Sequence, residues 1–152
     1  MDVKIINPFI EAFNNVLPQL GFAKVSKGAM TVKSSDLQGN GVMAIVGLVG
    51  DVKGNVIYSM NFDNAKGIAS KMMMGMPVEN FDDMAQSAIS ELSNMLTGNA
   101  SINLSELGTT VDISTPTLIY GEGLKVKAKA SKVLCVEIIA DDAKLDLNIA
   151  FE

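Results

Sequence analysis

Histidine is absent from all 152 residues. Ser–His and Cys–His nucleophile pairs and His-built metal sites are therefore excluded together. Any chemistry must run on carboxylates, amides and hydroxyls, or borrow groups from a partner. Cysteine occurs once, as Cys135 in the apolar run 133-VLCVEIIA-140. It has no mate for an internal disulfide and reads as a small core residue. The twelve basic residues are scattered and the formal net charge is −5, which argues against a nucleic-acid partner, since no basic block neutralises phosphates. No apolar run approaches the roughly 20 residues of a membrane span. Met1-Asp2-Val3-Lys4 is not a basic region leading into an apolar one, so no secretory signal is expected. The expected compartment is the cytoplasm, without membrane insertion.

What is present fits one globular domain over residues 1–152: 48% of residues are hydrophobic, with 13 Gly and 4 Pro. Asn7-Pro8 reads as a helix start, with Asn as N-cap and Pro at the first helical position. Phe9, Ile10, Phe13, Val16, Leu17 and Leu20 then recur at helical spacing until Pro18 and Gly21 stop the helix. Residues 22–34 read as a strand or a bent pair of strands. The runs 42-VMAIVGLVG-50 and 55-NVIYSMNF-62, joined by 51-DVKG-54, form a hairpin signature. A short helix starts at Asp63 or Asn64 and ends near Gly75-Met76-Pro77. The central helix runs from about Asn80, its expected N-cap, to about Asn103, with Asp82 and Asp83 favourable in its first turn. Short strands come next at 109–114 and 116–121, then a closing hairpin, 132–140 and 144–151, turning through Asp141-Asp142-Ala143.

Helix 7–20 precedes one hairpin and helix 80–103 another. This echo predicts an α/β (α+β) two-layer sandwich in which two long helices lie on one face of a mostly antiparallel sheet, with a pseudo-twofold internal repeat.

Within 87-SAISELSNMLTGNAS-101, the residues Ser87, Glu91, Asn94 and Gly98 recur at spacings of four, three and four. At roughly 100° per residue they share one helical face, and the apolar set Met84, Ala85, Ala88, Leu92, Met95, Leu96 and Ile102 centres about 100° away. A hydroxyl, a carboxylate, a carboxamide and a bare backbone thus stand in one line. A solvated helix face accounts for Glu and Asn without any function. Gly98 is harder to place there, because Gly inside a helix costs roughly 0.5–1 kcal/mol against Ala. It signals close approach by something, or a nearby helix end.

The pattern Ser87-x-x-x-Glu91-x-x-Asn94-x-x-x-Gly98 resembles the signature helix of the CheC/CheX/FliY family of chemotaxis phosphatases. The segment 108-GTTVDISTPTLIYG-121 resembles the stretch after that helix in the family, and 6-INPFIEAFNNVL-17 resembles the start of CheX-type members. The resemblance implies hydrolysis of the aspartyl-phosphate of a CheY-type response-regulator receiver, to which the receiver brings Mg²⁺ and a lysine. This chain would need no metal or cofactor of its own. By the same resemblance Asn94 would orient the attacking water, Glu91 would pair with the receiver's lysine, Ser87 would be a supporting contact and Gly98 a clearance point. A homodimer joined through sheet edges is also implied, and the hydrophobic closing hairpin is expected to supply the edge.

Some relatives carry the motif on both long helices. Here the first helix has Glu11 and Asn14 at the right spacing, a candidate degenerate second site, but Asn7 and Pro18 stand where Ser or Asp and Gly belong. Other features have simpler readings. The stretch 47-GLVGDVKGN-55 lacks the Gly-Lys-Ser/Thr of a phosphate loop and reads as a hairpin. The cluster 72-MMMGM-76 reads as core filler at a helix end, with a soft partner surface as the alternative. Asp82-Asp83 and Asp141-Asp142 fit helix-start and turn chemistry rather than a metal cage. Two rival functions remain open: a receiver-binding module without catalysis, and a small-molecule enzyme, which would need a deep pocket lined by the stripe.

Overall fold

The computed structural model describes residues 3–152; the opening Met1-Asp2, part of the signal reading, lies outside them. Helix α1 spans Val3–Val16, followed by a 3₁₀ turn at Leu17–Leu20. Strands β1 (Val25–Lys33), β2 (Asp36–Gly50) and β3 (Gly54–Met60) come next. Helices α2 (Phe62–Met72) and α3 (Asp83–Glu106) lead into β4 (Val111–Ile113), β5 (Thr117–Lys127), β6 (Val133–Ala140) and β7 (Ala143–Phe151).

The strands form one antiparallel sheet in the order β1-β6-β7-β3-β2-β4, with β5 also on β2. The expected sandwich is present: among the described residues two long helices, α1 and α3, and the expected short helix α2 pack on the sheet. Strand β2 shows how the layers are made. Val42, Ala44, Val46 and Leu48 alternate into the main core with Phe9, Phe13, Ile89 and Leu92 of the helices. Met43 points the other way, where it joins Leu37, Ile57 and Val133 in a smaller cluster.

Several boundaries differ from the sequence reading. Helix α1 starts at Val3, so Asn7 is not an N-cap and Pro8 lies inside the helix. Ile6 is buried on the same stripe as Phe9 and Phe13, which carries the amphipathic face one turn further upstream. Pro8 falls within two turns of the helix start, and its carbonyl accepts from the Asn103 side chain at 3.0 Å. Gly21 does close the 3₁₀ turn, in the left-handed conformation at φ 97°. Helix α2 is capped by Asn61, whose side chain accepts from Asn64 N–H at 2.8 Å. Helix α3 is capped by Asp82, not Asn80, through a 2.9 Å bond from Ala85 N–H.

Strands β2 and β5 are far longer than expected, because residues 36–45 of β2 pair with 127–117 of β5. Strand β4 occupies the same edge of β2 at residues 48–50. Strands β4 and β5 thus form one line broken at Thr115-Pro116. Ser114 fixes the break: its N–H donates to Gly47 O at 2.9 Å, and its hydroxyl accepts from Gly47 N–H at 2.7 Å. The closing hairpin does not supply a sheet edge. Strand β7 lies between β3 and β6, and β6 is covered by β1, so the edges are β1 on one side and β4 with β5 on the other. Its apolar content is explained by that central position, from which Leu134, Val136, Ile138, Leu145, Leu147 and Ile149 all enter the main core.

Candidate active site on helix α3

Helix α3 is held by its buried face. Ala85, Ile89, Leu92, Leu96, Ala100 and Leu104 are all 2% exposed or less. Two polar residues are buried with them, Ser93 and Thr97. Each hydroxyl is satisfied inside the helix: Ser93 donates to Ser90 O at 2.8 Å, and Thr97 to Ser93 O at 2.7 Å. The Tyr58 hydroxyl of β3 lies 2.8 Å from Thr97 Oγ1. Since the Thr97 proton is engaged by Ser93, both groups are satisfied when Tyr58 donates. Burial pushes the Tyr58 phenol well above the usual tyrosine range. The ring of Tyr58 meets Phe13 of α1 edge-on, with centroids 6.0 Å apart. Sheet, α1 and α3 are locked together one turn beyond Asn94.

The polar stripe lies on the opposite side. Ser87, Glu91 and Asn94 are exposed and Gly98 is half-buried. At ~100° per residue the stripe centres about 170° from the buried set, not the 100° expected. The difference comes from residues that break the apolar pattern: Met84 and Ile102 are 61% and 57% exposed, whereas Ser93 and Thr97 are inside.

Glu91 and Asn94 make no side-chain hydrogen bond or ion pair with another described residue. A carboxylate and a carboxamide one turn apart are therefore presented to solvent, engaged by no other described residue. Gly98 is not explained from within the chain. Helix α3 continues to Glu106, so no helix end is near. A Cβ at position 98 would meet nothing closer than Ile113 Cδ1 at 4.0 Å, an ordinary contact.

Beside the stripe is an open groove of about 680 Å³. Asp83, Glu91 and Asn94 line one wall; Pro116, Leu118 and Tyr120, delivered by the β4–β5 break, line the other. Tyr120 is 50% exposed and stands against Phe81, with ring centroids 5.5 Å apart. The groove is a surface trough, not the deep stripe-lined pocket a small-molecule enzyme needs. Its ionisable side chains on α3, Asp83 and Glu91, are both acidic.

The chain is similar to proteins of one family. A family model described as chemotaxis phosphatase CheX matches residues 42–138, from within β2 into β6 and across the whole of α3. This chain belongs to the CheX family of chemotaxis phosphatases.

It is 33% identical over 129 residues, 84% of this chain and 83% of the relative, to the CheY-P phosphatase CheX of Thermotoga maritima. A solved structure of a CheX–CheY–BeF₃–Mg²⁺ complex from Borrelia burgdorferi contains a chain with TM-score 0.83 and 34% identity, covering 97% of each chain. A CheC-like superfamily protein from a Shewanella species gives TM-score 0.88 at 26% identity, covering 100% of this chain and 99% of the other. CheX membership accounts for the antiparallel sheet with its helices on one face.

The second candidate pair on this CheX-family chain is also placed. Glu11 and Asn14 are exposed on α1, but the α-helix ends at Val16, two residues beyond Asn14, and Pro18 lies in the 3₁₀ turn. Glu11 borders a separate groove with Asn103 and Leu107 at the far end of α3. Sequence reading did not find the Tyr58–Thr97 clamp or the Tyr120 wall. A tyrosine in the inward phase of β3 was the available signal for the first. Nothing local marks the second, since β5 reaches α3 only through its pairing with β2.

Proposed function

We propose that this protein, read as one phosphatase domain, hydrolyses the aspartyl-phosphate of a CheY-type receiver and so ends its signal. The observation that carries this reading is the outward, unpartnered pair Glu91 and Asn94 on a helix clamped from beneath. A receiver supplies the phosphoryl group, the Mg²⁺ and a lysine; the helix supplies positioning. Asn94 accepts from and donates to one water and one phosphoryl oxygen, which holds the water in line with the scissile bond. The water oxygen attacks phosphorus, and the bond to the aspartyl oxygen breaks. The products are the free aspartate of the receiver and inorganic phosphate, with the water's protons passing to phosphate and solvent. Little covalent help is needed for such a transfer, so geometry and charge carry most of the acceleration. Glu91 pairs with the receiver lysine and fixes register. Ser87 supports the contact, and Gly98 gives the partner room.

Such a substrate is cytoplasmic, and no helix among the described residues is long and apolar enough to cross a membrane. A homodimer joined through sheet edges would use β1, where Met30 and Val32 are exposed, since the closing hairpin is interior. Sedimentation at micromolar concentration tests that pairing.

The deciding experiment follows decay of a phosphorylated CheY-type receiver, alone, with this protein, and with Asn94→Ala. Faster decay that disappears in the variant, while binding to a BeF₃⁻-loaded receiver persists, is expected. Binding without faster decay would leave a receiver-binding module and remove the enzyme.

A further inference from the structure

Helix α3 carries more on its outer surface than the acid–amide pair. Met84 is 61% exposed, Ile102 57%, and Met95 between them is half-buried. Their spacings of 11 and 7 residues place all three within an arc of about 20°, on the side of the stripe that faces α1. That orientation is fixed by Asn99 and Asn103, which lie further round the same way and bond to α1 through Asn15 at 3.0 Å and the Pro8 carbonyl at 3.0 Å. On the opposite side of the stripe stand Pro116, Leu118 and Tyr120. Glu91 and Asn94 are thus bracketed, with an apolar line along one flank and an aromatic-edged wall along the other.

A single exposed Met or Ile needs no explanation, but a row of them beside an unpartnered polar pair does. Sulfur and aliphatic side chains adapt to irregular contact, and a tyrosine offers a large area at low entropic cost. The row from Met84 to Ile102 is about 27 Å long, the width of a small domain. The carboxylates that α3 contributes to the groove complement a site that brings a lysine and a divalent cation.

We infer that Met84, Ile102 and Tyr120 form the docking surface for the receiver domain and set which receivers are accepted. This rests on the reading of Glu91 and Asn94 given above. The three side chains touch the receiver around its phosphorylated site, not the reacting atoms. They bind ground state and transition state alike, so their loss raises KM and leaves kcat in place. This separates them from Asn94, whose loss lowers kcat.

The test uses the full chain with Met84→Ser/Ile102→Ser, with Tyr120→Ser, and with Met74→Ser as control. Met74 is 97% exposed in the loop after α2 and away from the groove. Thermal melts confirm folding. Steady-state kinetics with a phosphorylated CheY-type receiver, and titration of the BeF₃⁻-loaded receiver, give the two readouts. The double variant and Tyr120→Ser should each raise KM and Kd about tenfold with kcat within about twofold, and the control should match wild type. Wild-type KM and Kd in the double variant and in Tyr120→Ser would overturn the docking surface while leaving the hydrolysis reading intact. Loss of binding in the variants of a wild type that binds but does not hydrolyse would keep the docking surface and overturn hydrolysis. A wild type that neither binds nor hydrolyses the receiver would overturn both.

Discussion

The Tyr58 hydroxyl of β3 lies 2.8 Å from Thr97 Oγ1 of α3, with both residues buried to 2% exposure or less. This bond fixes the helix against the sheet three residues beyond Asn94. Tyr58→Phe leaves Thr97 its bond to Ser93 but removes the phenol proton, and should cost about 1 kcal/mol. The same residue sets a pH dependence. Its folded pKa is raised above the ordinary value of about 10, so the native state holds the proton more tightly than the unfolded chain. The contribution is full below pH ~10 and declines as pH rises above it. Urea midpoints between pH 8 and pH 11 should fall more steeply for wild type than for Tyr58→Phe. Parallel declines would mean that the phenol is not the group responsible.

Gly98→Ala should separate stability from activity. With Ile113 Cδ1 at 4.0 Å the nearest atom, an added methyl meets no clash, and the helix gains roughly 0.5–1 kcal/mol. Receiver dephosphorylation should nevertheless fall, because the methyl occupies the space left for the partner. A more stable protein with undiminished activity would end the clearance role of Gly98.

Glu91→Gln keeps the shape and removes the charge. If Glu91 pairs with a lysine of the receiver, the variant should bind more weakly by about 1.5–3 kcal/mol, and its affinity should respond less to salt than that of wild type. Titrations at low and high NaCl decide this. Equal salt slopes would assign Glu91 another contact.

The pair on α1 should be dispensable. Glu11→Ala/Asn14→Ala is expected to retain wild-type dephosphorylation, since the helical platform stops at Val16 and Pro18 replaces the glycine that clears a partner. A loss of half the rate with unchanged folding would instead make α1 a second working site.

The element types were largely legible because their signals are local. The period of Phe9, Phe13 and Val16 announces α1, and the paired runs around 51-DVKG-54 announce the β2–β3 hairpin. Less was visible where long-range partners decide. The stretches 36–41 and 122–127 are strand because each pairs with the other across the sheet, and neither shows this alone. Asn80 and Asp82 are both capable caps, and the start of α3 against the core selects Asp82.

The acid–amide spacing on α3 was fully present in the sequence, since residues three apart on an α-helix always share a face about one turn apart. Its direction was not. Apolar Met84 and Ile102 pulled the expected core toward the stripe, while Ser93 and Thr97 sit in the real core. Local bonds to Ser90 and Ser93 remove the cost of burying their hydroxyls, and the partner across the core is Tyr58. By itself the sequence determined which groups share a line on α3, because that follows from backbone geometry. Only the tertiary structure decided that the line points away from the core and has a wall beside it, because helix rotation is set by packing against residues distant in the chain.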